Sequence, residues 1–473
     1  MTLFQPGKNC WRVARAQTCD VLIDAENYFR SVREAMLGAQ ERIILIGWDF
    51  DARVKMYDTQ GDVEGPLEIG EYLDWLVDRN TDLHIHILQW NLGALKLAKR
   101  GRTLLKAAKW LAHDRIQLKL DHDHPEGAAQ HEKLIVVDRN IAFCGGIDIT
   151  EDRWDTRAHN DTEERRSQPA GHDAGPWHDV STRLTGEVAQ ALADHAEHRW
   201  EHAVGDKLRE VTDGSPELTS QAEGPAAIVG VEVAIARTRG ESDGVAEVRE
   251  IEALYRDIIA AARDAIYIET QYLTALSVVR ALATRLSEED GPEIVLVMPA
   301  SADGWLESQV MDTTRARCVE ALRAVDRFDR LQIYHPVAQH GTEIYVHAKI
   351  LIADSRFLRI GSSNLSNRSM GFDSECDICV DAQLADNPDA LAKSIEHLRN
   401  DLIAEHVGSD AKSIARGIDK TRSIIATIDA ASKVGRRLRV YQTPELNAVQ
   451  EWLADNDILD PTSADDDWPS ITF

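Results

Sequence analysis

Hydrophobic and polar positions follow two patterns along the chain, and the order of these patterns occurs twice. Helical periodicity over residues 24–40 runs into the apolar, strand-like segment 42–50, and the same succession recurs over 247–264 and 265–273. Apolar positions three and four residues apart predict a helix against a core, whereas short apolar runs predict buried strands. The pattern therefore predicts two successive α/β units, each a sheet covered by helices.

Each repeat ends in a segment that carries polar residues, and the two segments match position by position. They read QHEKLIVVDRNIAFCGGIDIT and VHAKILIADSRFLRIGSSNLS, and each follows a short strand-like run, IQLKL or LQIYH. His347 follows His131 by 216 positions, and the same offset relates four further pairs. These pairs are Lys133 and Lys349, Asp138 and Asp354, Gly145 and Gly361, and Asp148 and Asn364. Such an internal repeat predicts two homologous halves related by a pseudo-twofold axis.

The repeat divides the chain into four predicted segments. The N-terminal half covers residues 1–205 and the C-terminal half residues 227–408, with a connecting loop over 206–226 that is rich in turn formers and charge. Residues 409–473 are predicted to form a tail that begins as helix and ends in an acidic, irregular stretch. The expected fold class is α/β, with the functional site between the two halves.

Composition narrows the classes of function. The 473 residues carry 80 acidic and 53 basic side chains, a formal net charge of −27 that disfavours nucleic acid as a partner. The six cysteines lack the spacing of a disulfide framework. No apolar stretch approaches the roughly 20 residues that span a bilayer, and the N-terminus does not resemble a secretory signal. We therefore expect a cytoplasmic protein without a transmembrane segment, peripheral to a membrane at most, and leave open export without a signal peptide.

Each half presents a histidine and a lysine two positions apart. His131 and Lys133, like His347 and Lys349, occur in strand-like runs, where alternation directs both side chains of a pair to one side. A single His-x-Lys carries little information, because a strand can hold a histidine for packing reasons. Two copies in equivalent positions favour a site for an anion, since two lysines facing one pocket would otherwise be costly.

A Gly-rich turn follows each of these motifs. The first turn, GGIDIT, contains Gly146 and Asp148, and the second, GSSNLS, contains Ser362 and Asn364. Small residues there would let the backbone and polar side chains approach a phosphate closely. We predict that these four residues bind phosphate.

The segments HEKLIVVD and HAKILIAD resemble the HxKxxxxD signature of the phospholipase D superfamily. GGIDITEDRWDTRAH, PWHDVSTRLTGEVAQALADHAEHRW, IYIETQYL and GSSNLSNRSMGFDSE are also similar to segments of phospholipases D proper. The resemblance covers about residues 20 to 405 and implies a duplicated phospholipase D fold.

This resemblance implies a displacement at phosphorus in two steps, without a metal or another cofactor. His131 would attack and form a phosphohistidine. His347 would protonate the leaving alcohol and later deprotonate water or an acceptor alcohol. Lys133 and Lys349 would hold the nonbridging oxygens together with the turn residues. Asp148 stands where many members have Asn, and a buried carboxylate there would repel phosphate unless it is protonated or paired.

The resemblance also implies a carboxylate partner for each imidazole, which fixes the tautomer of the ring. Glu375 is expected to orient the second histidine, His347, and Asp179 to orient the first, His131. Asp138 and Asp354 lie at odd spacing from the histidines and are expected to be structural.

Two other charged segments admit alternative interpretations. Asp121, His122, Asp123 and His124 are consecutive, whereas metals require converging ligands, so no metal site is expected there. The basic segment 90–115 is either a surface helix or a stretch that docks on lipid.

The preferred hypothesis is a phospholipase D that hydrolyses the distal phosphodiester of glycerophospholipids, such as phosphatidylcholine, at a membrane surface. Water is the acceptor, and alcohols compete with it by transphosphatidylation. The alternatives are a phosphatidyltransferase of the cardiolipin synthase type, a nuclease or another phosphodiesterase, and a binding protein with an inactive site. The intact motifs argue against the last of these.

Overall fold

The computed structural model describes most of the chain. The described residues are 2–57, 63–91, 106, 109–110, 113–166, 174–211, 228–242, 244–302, 305–444 and 460–461. The predicted connecting loop and the predicted irregular tail lie largely outside these residues, and so does most of the basic segment.

The elements alternate between strands and helices in both parts of the chain. The helices are α1 (Asp24–Leu37), α2 (Ile69–Arg79), α3 (Glu187–Val204), α4 (Glu250–Ala261), α5 (Leu276–Ser287), α6 (Trp305–Val325), α7 (Asn367–Gly371), α8 (Pro388–Val407), α9 (Ala411–Thr421) and α10 (Ile424–Ala431), with a 3-10 turn at Glu164–Arg166. The first nine strands are β1 (Arg12–Ile23), β2 (Arg42–Gly47), β3 (His84–Trp90), β4 (Ile116–Asp121), β5 (Leu134–Val137), β6 (Ile141–Gly145), β7 (Trp177–His178), β8 (Val180–Gly186) and β9 (Ile228–Arg239). The remaining strands are β10 (Val248–Arg249), β11 (Ala265–Glu269), β12 (Glu293–Val297), β13 (Leu331–Val337), β14 (Tyr345–Val346), β15 (Ile350–Ala353), β16 (Phe357–Gly361), β17 (Glu375–Ala385) and β18 (Arg437–Val440).

A mixed sheet of 16 strands runs through the molecule, with β1 and β9 paired antiparallel at its centre. From β1 the order is β8, β6, β5, β2, β3 and β4, and from β9 it is β17, β16, β15, β11, β12 and β13. On both sides the first four pairings are antiparallel and the last two are parallel. The protein is thus a mixed α/β protein in which one order of strands occurs on both sides of the centre.

The apolar core follows this arrangement. One hydrophobic cluster extends across the central strands and beneath α3 and α8, and it includes Trp200 and Leu402. A second cluster lies around α4 and α5, and a third around α1 and α2. The short pair formed by β7 and β14 is separate from the main sheet and joins the two parts of the chain.

The tail differs from its prediction. The predicted helical run from 409 onwards consists of two helices, α9 and α10, separated at Arg422, whose φ of 59° does not continue a helix. Beyond them, β18 pairs with the edge strand β13, a pairing that the sequence did not predict.

Candidate active site

Both His-x-Lys pairs lie immediately before a strand rather than within it, which corrects the prediction of strand-embedded pairs. His131 and Lys133 precede β5, and His347 and Lys349 precede β15. The backbone of each segment pairs with the other half of the chain. The N–H of His131 donates to the carbonyl of Ser374 (2.9 Å), and the N–H of His347 donates to that of His178 (2.8 Å).

The carboxylates reach the histidines crosswise. Nδ1 of His131 lies 3.0 Å from both carboxylate oxygens of Glu375, and Nδ1 of His347 lies 2.6 Å from Oδ2 of Asp179. The expected pairing, Asp179 with His131 and Glu375 with His347, is therefore wrong. The reason is the backbone pairing just described, which places each histidine beside the residue that precedes the opposite half's carboxylate. With Nδ1 donating to a carboxylate, Nε2 is left to react.

Ser362 and Gly146, which are predicted to bind phosphate, lie against the orienting carboxylates, and their binding of phosphate stays a prediction. The hydroxyl of Ser362 donates to Oε2 of Glu375 (2.5 Å), and that of Ser369 donates to Oε1 (2.6 Å). A Cβ atom on Gly146 would lie 2.2 Å from Oδ1 of Asp179, so only glycine allows this carboxylate its position. Ser369 was not found from the sequence.

Each lysine donates to the carbonyl of the histidine in its own motif, but the second partner differs between the two lysines. Nζ of Lys133 donates to the carbonyl of His131 (2.8 Å) and lies 3.2 Å from Oδ2 of Asp148. Nζ of Lys349 donates to the carbonyl of His347 and lies 3.4 Å from Oε1 of Gln271. Asp148 is thus paired with a cation, which removes the repulsion expected of a free carboxylate, and its binding of phosphate stays a prediction.

Asn364 is the turn residue whose side chain remains available. Its Oδ1 atom is buried without a hydrogen-bond partner among the described residues, while its backbone N–H donates to Oγ of Ser369 (3.1 Å). An unsatisfied buried polar atom is costly. Because this oxygen is an acceptor, a hydroxyl or another donor of a ligand would satisfy it, whereas a phosphate oxygen would accept from Nδ2 of the same amide.

Burial and charge set the protonation of the site. Burial, reinforced by Lys133 and Lys349, lowers the pKa of both His131 and His347 well below the usual range. The charges of both lysines thus lower the pKa of each imidazole, so the protonation of the two histidines depends on both halves. Burial also lowers the pKa of Lys349 to about 7 and raises the pKa values of Asp179 and Glu375. The lowered pKa keeps His131 neutral, as a nucleophile must be, and makes a protonated His347 a stronger acid, as a proton donor must be.

Asp138 and Asp354 point away from the cleft and serve the backbone. Asp138 accepts the N–H groups of Gln40, Glu41 and Arg42 at 2.6–2.9 Å. In the other half Asp354 accepts those of residues 263–265 at 2.6–3.0 Å. Each aspartate fixes the start of the strand next to its motif.

A buried cluster behind His347 was missed from the sequence. His178 contacts Glu269 (2.7 Å), Glu405 (3.0 Å) and Asp24 (3.1 Å), and His159 contacts Glu405 (2.9 Å). Donor atoms of Asp24, His159, His178 and Glu405 lie within 4.8 Å of one another, so these residues could hold a divalent ion. Two of the cluster's side chains belong to segments that the sequence analysis noted only for their resemblance: His178 in PWHD and Glu269 in IYIE. The cluster supports the backbone that carries Asp179.

Aromatic side chains line the cleft beside His347. The Trp177 ring stacks on Tyr345 with centroids 4.6 Å apart and lies 5.1 Å from the His347 ring. The guanidinium of Arg153 lies 4.2 Å from the Trp177 centroid. Trp177 and Tyr345 also line an adjoining cavity of about 350 Å³.

The consecutive acidic and histidine residues at the end of β4 have polar partners of their own. Asp121 binds Arg199 (2.5 Å), Asp123 binds Arg239 (2.8 Å), and His122 contacts Asn91 (3.0 Å). Arg199 also lies 3.7 Å from Asp123, so the two aspartates form ion pairs that hold this segment.

Most of the basic segment lies outside the described residues, including Lys96, Lys99, Arg100 and Arg102. Lys106 and Lys109 are described, and both contact Oδ2 of Asp74, at 2.6 and 2.9 Å. Lipid docking by the segment stays a prediction. No helix among the described ranges is long and apolar enough to cross a bilayer.

The fold and the paired motifs define a mixed α/β protein with a two-histidine site, and known proteins share these features. The family described as cardiolipin synthase, phospholipase D-like domain, matches residues 255–401. Phospholipase D A of Dictyostelium discoideum is 23% identical over 74% of this chain and 31% of its own length. Phospholipase D2 of Bos taurus is 22% identical over 79% of this chain and 50% of its own length. Phospholipase D1 of Saccharomyces cerevisiae is 25% identical over 83% of this chain and 29% of its own length. The chain matches half or less of the length of these relatives.

The fold itself resembles a solved structure, phosphatidylserine synthase of Haemophilus influenzae. The TM-score is 0.56 at 13% identity, covering 89% of this chain and 96% of that protein. Residues 255–401 thus match a phospholipase D-like domain, and the chain is similar in sequence to proteins named phospholipase D and in fold to a phosphatidylserine synthase.

Proposed function

We propose that the protein is a phospholipase D, which hydrolyses the distal phosphodiester of glycerophospholipids such as phosphatidylcholine. One observation carries this proposal. Two imidazoles, each with a carboxylate on Nδ1, share one electrostatic environment with two lysines. This is the set of groups that a displacement at phosphorus through a covalent histidine intermediate requires. The relatives named phospholipase D support the choice of substrate.

The reaction proceeds in two steps. The reaction starts from the form in which His131 is neutral and His347 carries a proton on Nε2. Nε2 of His131 attacks phosphorus, and the bond to the leaving alcohol breaks as His347 donates that proton to its oxygen and becomes neutral. His347 then removes a proton from water, whose oxygen attacks the phosphohistidine and releases phosphatidic acid and free His131. Lys133, Lys349 and Asn364 bind the nonbridging oxygens, on which negative charge builds.

The crosswise carboxylates give each imidazole the partner that its role needs. Glu375 stabilises the positive charge that His131 acquires in the phosphohistidine. Asp179 stabilises the imidazolium that His347 forms when it takes a proton from water. The interaction with Glu375 therefore strengthens as charge develops in the first step, and the interaction with Asp179 as charge develops in the second, which lowers each barrier.

We also propose that the sheet arose by duplication, with the halves 1–205 and 227–408 about a pseudo-twofold axis, a connecting loop at 206–226 and the tail at 409–473. Gly145 pairs with Ser181 in the sheet, and Gly361 pairs with Asp377. Asp179 and Glu375 both lie two positions before these partners, so they are equivalent residues. The duplication thus accounts for both orienting carboxylates.

The phosphohistidine can pass its phosphatidyl group to any acceptor that reaches it. We propose water as the main acceptor and primary alcohols as competitors, with the enzyme bound peripherally at the lipid surface. Phosphatidyl transfer to a second lipid alcohol is the alternative, which the match to the cardiolipin synthase-type family favours.

The test measures products from phosphatidylcholine, phosphatidylglycerol and single-stranded DNA, with and without a primary alcohol. We expect phosphatidic acid and choline from phosphatidylcholine, a phosphatidyl alcohol when alcohol is present, and no cleavage of DNA. His131→Asn and His347→Asn should each abolish turnover. His86→Asn is the control, because His86 is another buried histidine but packs on Trp200 away from the cleft. Conversion of phosphatidylglycerol alone, or cleavage of DNA, would overturn the proposal.

A further inference from the structure

Asp460 lies in the tail, far from its partners in sequence, yet it is buried beside the second Gly-rich turn. Its side chain accepts three hydrogen bonds. Oδ2 accepts the hydroxyl of Thr274 (2.5 Å) and the N–H of Asn367 (3.1 Å), and Oδ1 accepts the N–H of Arg368 (2.9 Å). One carboxylate therefore joins the start of α7 to the loop that follows β11.

On one side, the contacts of Asp460 extend through α7 to the proposed nucleophile, His131. Helix α7 contains Ser369, whose hydroxyl donates to Glu375 (2.6 Å) and accepts the N–H of Asn364 (3.1 Å). Glu375 in turn contacts Nδ1 of His131 (3.0 Å). A shift of α7 would therefore move both the carboxylate that orients His131 and the turn that carries Asn364.

On the other side, the contacts of Asp460 extend through Thr274 towards Lys349, which is proposed to bind phosphate. The N–H groups of Thr274 and Ala275 both donate to the carbonyl of Leu365, at 2.7 and 2.9 Å. Three residues before Thr274, Oε1 of Gln271 lies 3.4 Å from Nζ of Lys349. The loop that binds Asp460 is thus attached to the turn and to the second motif.

We propose that Asp460 is a positioning residue, which acts through α7 and Glu375 to hold His131 in its reactive orientation. The inference rests on the proposed function, since it assigns the reaction to His131. A carboxylate is needed because all three partners are donors. An amide in its place would turn an NH₂ group towards one of them and leave a buried donor unpaired.

The kinetic test uses Asp460→Asn with a soluble short-chain phosphatidylcholine. We expect kcat to fall about 10- to 100-fold, as for a small misplacement of a reacting group, while KM changes less than about threefold. Asp460→Glu should recover part of kcat. The control is Asp410→Asn, because Asp410 also accepts a backbone N–H at a helix start, that of Ser413 (2.9 Å), but at α9. It should leave both parameters unchanged.

A double-mutant cycle separates positioning from general weakening of the fold. If Asp460 acts through Glu375, Asp460→Asn should cost less than about threefold when Glu375→Gln is already present. An unchanged kcat in the single variant, or fully additive losses in the double variant, would overturn the proposal. If Asp460→Asn does not fold, Thr274→Val removes one of the three hydrogen bonds without changing shape. It should lower kcat at least about threefold, and an unchanged kcat would overturn the proposal equally.

Hydrogen exchange provides a measurement that does not depend on activity. The N–H groups of Asn367 and Arg368 should exchange faster in Asp460→Asn than in the wild type, while those of α9 exchange as before. If the wild type turns over no phosphodiester, the proposed function fails and exchange still tests the contact. Equal exchange in both proteins would show that Asp460 does not hold α7.

Discussion

The crosswise carboxylates predict that two similar substitutions will impair different chemical events. Asp179→Asn removes the charge that faces His347, the proposed proton donor to the leaving alcohol. Glu375→Gln removes the charge that faces His131, the proposed nucleophile. The first variant should depend strongly on the leaving group, because a good leaving group needs no proton. The second should not, because attack on phosphorus is required for every substrate.

The contacts set the size of these effects. Asp179 and Glu375 are both buried, and their hydrogen bonds to the imidazoles are 2.6 and 3.0 Å long. A hydrogen bond to a charged group contributes about 1.5–3 kcal/mol, and about 1.4 kcal/mol corresponds to tenfold in rate. Each substitution should therefore slow the attack step with a choline leaving group by about 10- to 150-fold.

The assay compares the formation of the covalent intermediate from phosphatidylcholine and from a p-nitrophenyl phosphodiester in single-turnover experiments. With the p-nitrophenyl substrate, Asp179→Asn should recover to within about threefold of the wild type, whereas Glu375→Gln should remain as impaired as before. The reverse pattern would make His347 the nucleophile and refute the proposed roles of the two histidines. Equal losses with both substrates for both variants would show that the carboxylates only stabilise the fold.

Three further predictions follow from the site and its supports. Burial lowers the pKa of Lys349 to about 7, so the ammonium is lost as pH rises past 7. Calorimetry should therefore show the affinity for dimethyl phosphate falling roughly tenfold between pH 7 and 8.5, and Lys349→Arg should abolish this dependence; constant wild-type affinity would contradict it. Gly146→Ala should lower kcat about 10- to 100-fold, because the new Cβ displaces Asp179, whereas Gly175→Ala, with nothing within 4 Å, should not; equal activities would contradict this. Asp138→Ala should lower the free energy of unfolding by about 2–4 kcal/mol through three lost hydrogen bonds, measured by denaturant titration, with kcat of the folded fraction retained; a large loss of kcat would instead give Asp138 a role in the reaction.

The sequence allowed much of the architecture to be predicted because periodicity is a local property. The helices predicted at 24–40 and 247–264 and the strands that follow them occur in the structure, whereas α2, α5 and α6 were not predicted. The offset of 216 positions gives both motifs the same place, immediately before β5 and β15. The strand ends were less accurate, since the His-x-Lys segments pair with the other half through Ser374 and His178. Pairing between distant segments leaves no local signal.

The orienting carboxylates show where the sequence stops being informative. Asp179 and Glu375 could be selected from it, but not their partners, because equivalence between halves does not say which half faces which. Ser362 is a similar case, since a hydroxyl in a Gly-rich turn suits either a phosphate or a carboxylate. Asp460 had no signal at all, because its three partners lie about 90 or more positions away.

The crosswise arrangement makes the halves mutually dependent. A polypeptide holding the first half alone would keep His131 and Lys133 but lose the acceptor for Nδ1, and the second half alone would lose it for His347. Even if such a half folded correctly, no carboxylate would fix the tautomer of its histidine. If the halves arose by duplication, as proposed, two copies of one half in a symmetric dimer would have supplied each other with both carboxylates.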